Sequence, residues 1–215
     1  MGLPVYDFRV DIRNILVTPQ IRSRFLSMEV GQCNAAHSHD LGHEVFLILQ
    51  GQAEFEIEGE KGLLGPGQMC VALAGEKHVV RNVGDVPVIM YLSVTPHIQP
   101  THTMWTEQGT RQPPHFAPST AYDVPLDAAT PIADLLSRHL EAAEALAAKA
   151  EAMARAQREQ AAALKQALAT GDMEVAVSAR NKMWEALYAM FSESFVLAQA
   201  WNDLTSRLAS DERGG

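Results

Sequence analysis

Hydrophobic and polar positions follow two different periods along this chain. From residue 8 to residue 95 the apolar residues fall in short runs, RSRFLSMEV, EVFLILQG, AEFEIEGE, MCVALAG and PVIMYLSV. Turn-forming stretches such as GEKGLLGPG and NVGDVP divide them, which predicts strands. Glu54, Glu56, Glu58 and Glu60 alternate with Phe55, Ile57 and Gly59. That is the period of a strand with one solvated and one buried face. Many short strands with no helix between them predict a sandwich or a small barrel.

After residue 127 the period changes. From Leu136 and Leu140 through Ala147 and Ala154 to Leu164 and Leu168, apolar positions recur at spacings alternating between four and three. That pattern predicts a coiled-coil seam on a helix roughly 60 Å long. Thr170, Gly171 and Asp172 read as a stop and a restart, glycine suiting the C-terminal cap and aspartate the next N-cap. A second helix is predicted to about Ala209, with Trp184, Leu187, Phe191, Phe195 and Leu208 on one side. The two helices make an antiparallel hairpin. Alanine buries little area per residue, so the hairpin is expected to pack on the barrel or on a second subunit. Between the two regions lies a proline-rich stretch without a period. The predicted organisation is a β-barrel at 1–96, an ordered proline-rich linker at 97–127 and a helical hairpin at 128–215, a mainly β chain with an added α portion.

Composition narrows the function classes. A hydrophobic share of 47% excludes a disordered chain. The net charge is −9, with 8 basic against 14 acidic residues up to position 127 and 9 against 12 beyond it. Both parts are acidic, which argues against nucleic acid or an anionic membrane as partner. No run reaches the apolar length of a membrane span. Asp7, Arg9, Asp11 and Arg13 stand where a secretory signal needs an apolar run. Cys33 and Cys70 are too few for a disulfide scaffold and read as small buried hydrophobes. A cytoplasmic location is the expectation.

Histidine is the unevenly distributed residue: seven of the eight lie between positions 37 and 115. His37 and His39 are two apart, so on a strand they point to one face. Glu44 opens the run EVFLILQ and shares a face with Phe46 and Ile48, the two residues expected to line a substrate pocket. His78 follows a turn at Gly75 and starts another strand. Three imidazoles and a carboxylate converging inside a barrel make a nitrogen and oxygen site for a divalent transition metal.

These two segments carry a family resemblance. Residues 31–51 resemble the first cupin motif, G-x5-H-x-H-x4-E-x6-G, at Gly31, His37, His39, Glu44 and Gly51. Residues 67–82 resemble the second, G-x5-P-x-G-x2-H-x3-N, at Gly67, Gly75, His78 and Asn82, with Leu73 where proline is usual. The resemblance covers roughly residues 10–96 and is silent on the helical half. It implies a jelly-roll barrel of six to eight antiparallel strands. It also implies one divalent metal per chain (Fe, Mn, Ni, Co, Cu or Zn) held by His37, His39, Glu44 and His78.

Three functions follow as expectations. The first is an oxidoreductase of dioxygenase type acting on a small enol, phenol or keto acid, with the Glu44 carboxylate also serving as base. The second is a redox-neutral isomerase, lyase, cyclase or decarboxylase that uses the metal as Lewis acid. The third is a non-enzymatic small-molecule or metal sensor that relays its state through the hairpin. A homodimer or higher oligomer is expected in each case. His43 is turned away from Glu44's face by strand alternation. His97, His102 and His115 read as loop residues, with His97 or His102 the candidates for the barrel mouth. Arg22, Arg24 and Arg81 have two readings, binding of a substrate carboxylate and a solvated or ion-paired face, of which the second is favoured.

Overall fold

The computed structural model of the protein describes residues 2–214, with side chains described through Ser210. Ten strands are formed: β1 Asn14–Thr18, β2 Ile21–Met28, β3 His37–Ser38, β4 His43–Gln50, β5 Ala53–Ile57, β6 Glu60–Leu64, β7 Met69–Ala72, β8 His78–Asn82, β9 Val88–Thr95 and β10 Thr103–Met104. They build two five-stranded antiparallel sheets, in the orders β1-β2-β9-β4-β7 and β10-β3-β8-β5-β6. Sequence neighbours are mostly not sheet neighbours, which is the jelly-roll arrangement. Two long helices follow, α1 Ile132–Thr170 and α2 Met173–Gly214.

Strand alternation sets the interior. On β4, Glu44, Phe46 and Ile48 are buried while the residues between them are not. On β8 the buried positions are His78, Val80 and Asn82. These faces meet Met28 of β2 and Val88, Met90 and Leu92 of β9 in one apolar core with Phe55 and Ala72. The phenyl rings of Phe46 and Phe55 lie 5.0 Å apart, centre to centre. The core therefore belongs to both sheets and ends, on β4 and β8, at polar ligating residues.

Turn chemistry fixes the register. Gly51 ends β4 at φ +75°, and a Cβ there would meet the Pro87 carbonyl oxygen at 2.9 Å. Only glycine takes that conformation and that approach together. The glutamate alternation ends earlier than its sequence period predicts. Glu58 (φ 48°) and Gly59 (φ 86°) form the two-residue turn of the β5–β6 hairpin. Positive φ at both central residues matches the twist of the flanking strands. Glu54 and Glu56 remain on the outer face and pair with Arg81 and Lys61.

The proline-rich stretch is tied to the sheets by specific polar contacts. β10 pairs with β3, Thr103 opposite Ser38 and Met104 opposite His37. The Trp105 indole Nε1 donates to Ser38 Oγ at 3.1 Å. The Asn14 backbone N–H and side-chain amide both donate to Asp123 Oδ2, at 2.8 and 2.9 Å, and these bonds lower the pKa of that carboxyl. Cys33, expected as a buried small hydrophobe, is exposed, whereas Cys70 is half-buried against the core. Cys33 lies in the irregular segment between β2 and β3, where no strand face turns it inward.

The chain divides into two compact units. One runs up to Ala128 and includes the residues from Thr205 onward; the other is Ala129–Leu204. In the second unit α1 ends at Gly171 (φ 73°), and Asp172 Oδ1 accepts from the Val175 N–H at 3.1 Å as the N-cap of α2. Gln157 Nε2 donates to the Met183 carbonyl at 2.9 Å, and His139 lies 5.4 Å from the Trp201 ring. The two contacts share one antiparallel register.

The helix faces differ from the expected ones. Leu136, Leu140 and Leu168 are exposed, and the buried positions of α1 are Leu135, Ala142 and Ala167. The contact stripe thus lies one residue earlier than the predicted seam. In an alanine-rich helix the neighbouring row is also apolar, so the period alone does not choose between them. On α2 the small residues Ala176, Ala179 and Ala198 are buried, while Trp184 is 61% exposed and Phe191 and Leu208 are also exposed. Small side chains allow close backbone approach and push the large rings outward. No helix among the described residues is long and apolar enough to cross a membrane.

Candidate metal centre

Four elements deliver the candidate ligands. His37 lies on β3, opposite His78 at the start of β8. His39 follows β3 in a turn where Gly42 N–H and Gly75 N–H both donate to its carbonyl, at 3.3 and 2.9 Å. Glu44 stands on β4 between Ala72 of β7 and Val94 of β9. The ligating atoms of His37, His39, Glu44 and His78 all lie within 4.8 Å of one another, and all four residues are buried.

The outer ring nitrogens fix the inner ones. His37 Nδ1 is 3.0 Å from the Ala35 carbonyl, His39 Nδ1 is 2.6 Å from that of Thr101, and His78 Nδ1 is 2.9 Å from that of Glu76. A carbonyl only accepts, so each Nδ1 carries the proton and each neutral ring turns an Nε2 lone pair inward. Two of these atoms, on His39 and His78, lie 2.9 and 3.0 Å from the same Glu44 Oε2; the third, on His37, is 3.9 Å away.

Lone pairs and a carboxylate oxygen at such distances repel unless a positive charge stands among them. Ring protonation is opposed at His37, where burial first and the neighbouring His78 second push the pKa down to about 4. Burial opposes ionisation of Glu44, and its carboxyl is held well below the usual range only where His39 and His78 present protons, or a cation in their place, to Oε2. A divalent cation satisfies all four donors at once, and three imidazoles with one carboxylate suit a first-row transition metal. The residues present fit a metal.

The remaining predicted residues take various places. Glu44 and Phe46 line a cavity of about 360 Å³ beside the cluster. Phe46 also packs its ring against His78, 5.7 Å between centres. Ile48 is fully buried in the core and does not line that cavity. His43 is exposed and accepts from the Ala74 N–H at 2.9 Å, closing the turn before β8. His102 lines the cavity, its ring 5.1 Å from that of His37 and 4.7 Å from that of His39. His97 is buried outside it, 3.1 Å from Thr101 Oγ1 and edge-on to Tyr122. His115 is exposed. The motif residue Asn82 is a staple: its Nδ2 donates to the Met28 and Val86 carbonyls.

Arg81 is ion-paired on the outer surface, in agreement with the reading of an ion-paired face. Arg22 and Arg24 are not: both line the cavity. The signal was present in the run RSRFLSM, where the two arginines keep phase with Leu26 and Met28. The favoured reading of a solvated or ion-paired face fails for these two, because strand parity turns them inward. Tyr122, which also lines the cavity, comes from a segment without a period and carried no such signal.

Comparison with known proteins agrees with this arrangement. Residues 24–95 match the family model described as cupin domain. No curated protein matches the chain. Among solved structures, it is similar to a conserved protein with a double-stranded beta-helix domain from Klebsiella pneumoniae. The identity is 23% over 44% of this chain and 91% of that one, with a TM-score of 0.42. A second is TT1209 from Thermus thermophilus, 22% identical over 44% of this chain and 98% of that one, TM-score 0.42. A third is KdgF from a Halomonas species, 25% identical over 40% of this chain and 76% of that one, TM-score 0.37.

Proposed function

We propose, from the match of residues 24–95 to the cupin-domain family model, that the chain is a metal-dependent oxidoreductase of dioxygenase type. Its substrate is a small enol, phenol or keto acid. The observation that carries the reading is a complete ligand set of three histidines and one glutamate that borders a cavity of about 360 Å³. That volume suits a small organic molecule.

When bound, a redox-active divalent metal supplies the centre at which an enolate or phenolate and dioxygen react, both oxygen atoms entering the product without an external reductant. His37, His39 and His78 would hold such an ion through Nε2, and their Nδ1 bonds to backbone carbonyls keep the rings from turning. Glu44 serves twice, as ligand and as the carboxylate that accepts the substrate's hydroxyl proton. Phe46, Met90 and Leu92 form an apolar wall that excludes water. Exclusion of water strengthens every electrostatic interaction inside.

The test is oxygen consumption. The protein is reconstituted separately with iron, manganese, nickel and copper and assayed against a panel of enols, phenols and keto acids. Oxygen uptake matched one to one by product, and abolished in His37→Ala, is the expected result. Absence of uptake in every metal form would sink the proposal. Turnover that continues without oxygen, and with zinc, would move the protein to the redox-neutral isomerase or lyase class.

A further inference from the structure

We infer that Arg22 and Arg24 form an anion-binding wall of the cavity and that the molecule bound there carries a carboxylate. The inference rests on the reading of this cavity as the substrate site.

Both guanidinium groups are brought inward by the parity of β2, in phase with Leu26 and Met28, which line the same cavity. Arg22 is 4% exposed. The Nε of each arginine is buried without a hydrogen-bond partner. Among the described residues neither group makes an ion pair, in contrast to Arg81, which has two glutamates. The Arg22 guanidinium instead sits over the Tyr122 ring, 5.3 Å from its centre. That cation–π contact orients the group without neutralising it.

Arginine stays charged in any protein environment, so two positive charges border the cavity permanently. A buried charge is tolerated when it is paired, and neither arginine makes an ion pair, the carboxylates of Glu44 and, at Arg24, of Asp123 acting on them only from beyond ion-pair distance. Among the described residues Glu44 is the one acidic side chain lining the cavity, and its Oε2 already faces His39 and His78. A metal ion there adds further positive charge. The complement that satisfies such walls is an anion, and a planar fork of N–H donors matches a carboxylate in two-point contact. Among the proposed substrates this selects keto acids, and enols or phenols that bear a carboxylate, over neutral ones.

The manganese-loaded protein is titrated by calorimetry, and its melting temperature recorded, with acetate, glycolate, pyruvate and malonate. Each acid is compared with its methyl ester, and sodium chloride serves as control. At least one acid is expected to bind and raise the melting temperature while its ester does neither. Arg22→Met is expected to weaken that acid by about 10- to 100-fold at unchanged manganese content, the worth of a charge-assisted hydrogen bond. Arg22→Lys is expected to fall between the two.

The inference is overturned if acids and esters behave alike, if none binds, or if chloride matches the acids. It is equally overturned if Arg22→Met leaves the acid's affinity unchanged, since binding would then be to the metal alone. Should Arg22→Met not fold, Arg22→Lys and Arg24→Met carry the same comparison. Acid binding without oxygen uptake would retire the dioxygenase reading and leave this site standing. Oxygen uptake on neutral phenols with no preference for acids would do the reverse.

Discussion

His39 Nδ1 lies 2.6 Å from the carbonyl oxygen of Thr101, a residue 62 positions further along the chain. A candidate metal ligand of the first motif is thus oriented by the proline-rich stretch that follows the last long strand. The carbonyl is in turn held by its surroundings. Gln99 Nε2 donates to the Ala117 carbonyl at 2.8 Å and to Ser206 Oγ at 2.7 Å, and its Oε1 accepts from the Ala117 N–H at 2.9 Å.

Replacing Gln99 is therefore expected to reach the candidate metal centre without touching it. Gln99→Leu leaves buried polar partners unsatisfied and is expected to cost about 2 kcal/mol of stability. Metal affinity is expected to fall about tenfold, as for other groups that orient a ligand from behind. Denaturant unfolding and a competitive chelator titration measure the two effects. Lost stability with unchanged metal affinity would show that Thr101 is held independently of Gln99.

A metal held by the four-residue cluster would be linked to stability. Adding metal at a thousandfold excess over its dissociation constant should stabilise the metal-free protein by about 4 kcal/mol. Melting curves with and without a chelator record this, beside elemental analysis. In His78→Ala both the bound metal and the metal-dependent shift should vanish. A shift that persists in that variant would place the ion elsewhere.

Phe46 and Ile48 share a face of β4 but not a role. Ile48→Val should cost about 1 kcal/mol and leave turnover and metal content unchanged, because Ile48 lies wholly in the core. Phe46→Ala should cost about 3–5 kcal/mol and also alter ligand affinity, since its ring lines the cavity and packs on His78. Paired unfolding and kinetic measurements separate the two. A kinetic effect of Ile48→Val equal to that of Phe46→Ala would contradict the assignment.

His97 gives stability a pH dependence. Burial, and after it the charge of Arg22 and the proximity of His39, push its pKa down to about 3, against 6.5 in an unfolded chain. The folded state thus binds this proton less readily than the unfolded one. The contribution is fully present above pH 6.5 and is lost as pH falls toward 3, with a slope of up to about 1.4 kcal/mol per pH unit. Unfolding free energies at pH 7 and pH 5 should differ less in His97→Asn than in the wild-type protein. Equal slopes in the two would show that His97 is not the group responsible.

Much of this could be read from the chain itself, for identifiable reasons. Strands with period two, the turn glycines and the spacing of His37, His39, Glu44 and His78 are local properties, written in neighbouring residues. The strands follow from them, and the cupin resemblance that the same spacing carries implies the barrel and the ligand set. The break between helices at Gly171 and Asp172 is local too, since backbone conformation and capping decide there within a few positions.

Tertiary structure decided what depends on distance or on a choice between equivalent faces. The stripe α1 buries lies one residue from the expected seam, because alanine makes adjacent rows equally apolar. Arg22 and Arg24 line the cavity because residues two apart on a strand share a face, which here is the face of Leu26 and Met28. His102 and Tyr122 reach the same cavity from a segment with no period, brought there by long-range hydrogen bonds such as that of Asn14 to Asp123. Local spacing names the ligands, and the packing of distant segments sets the charge and shape of the space beside them.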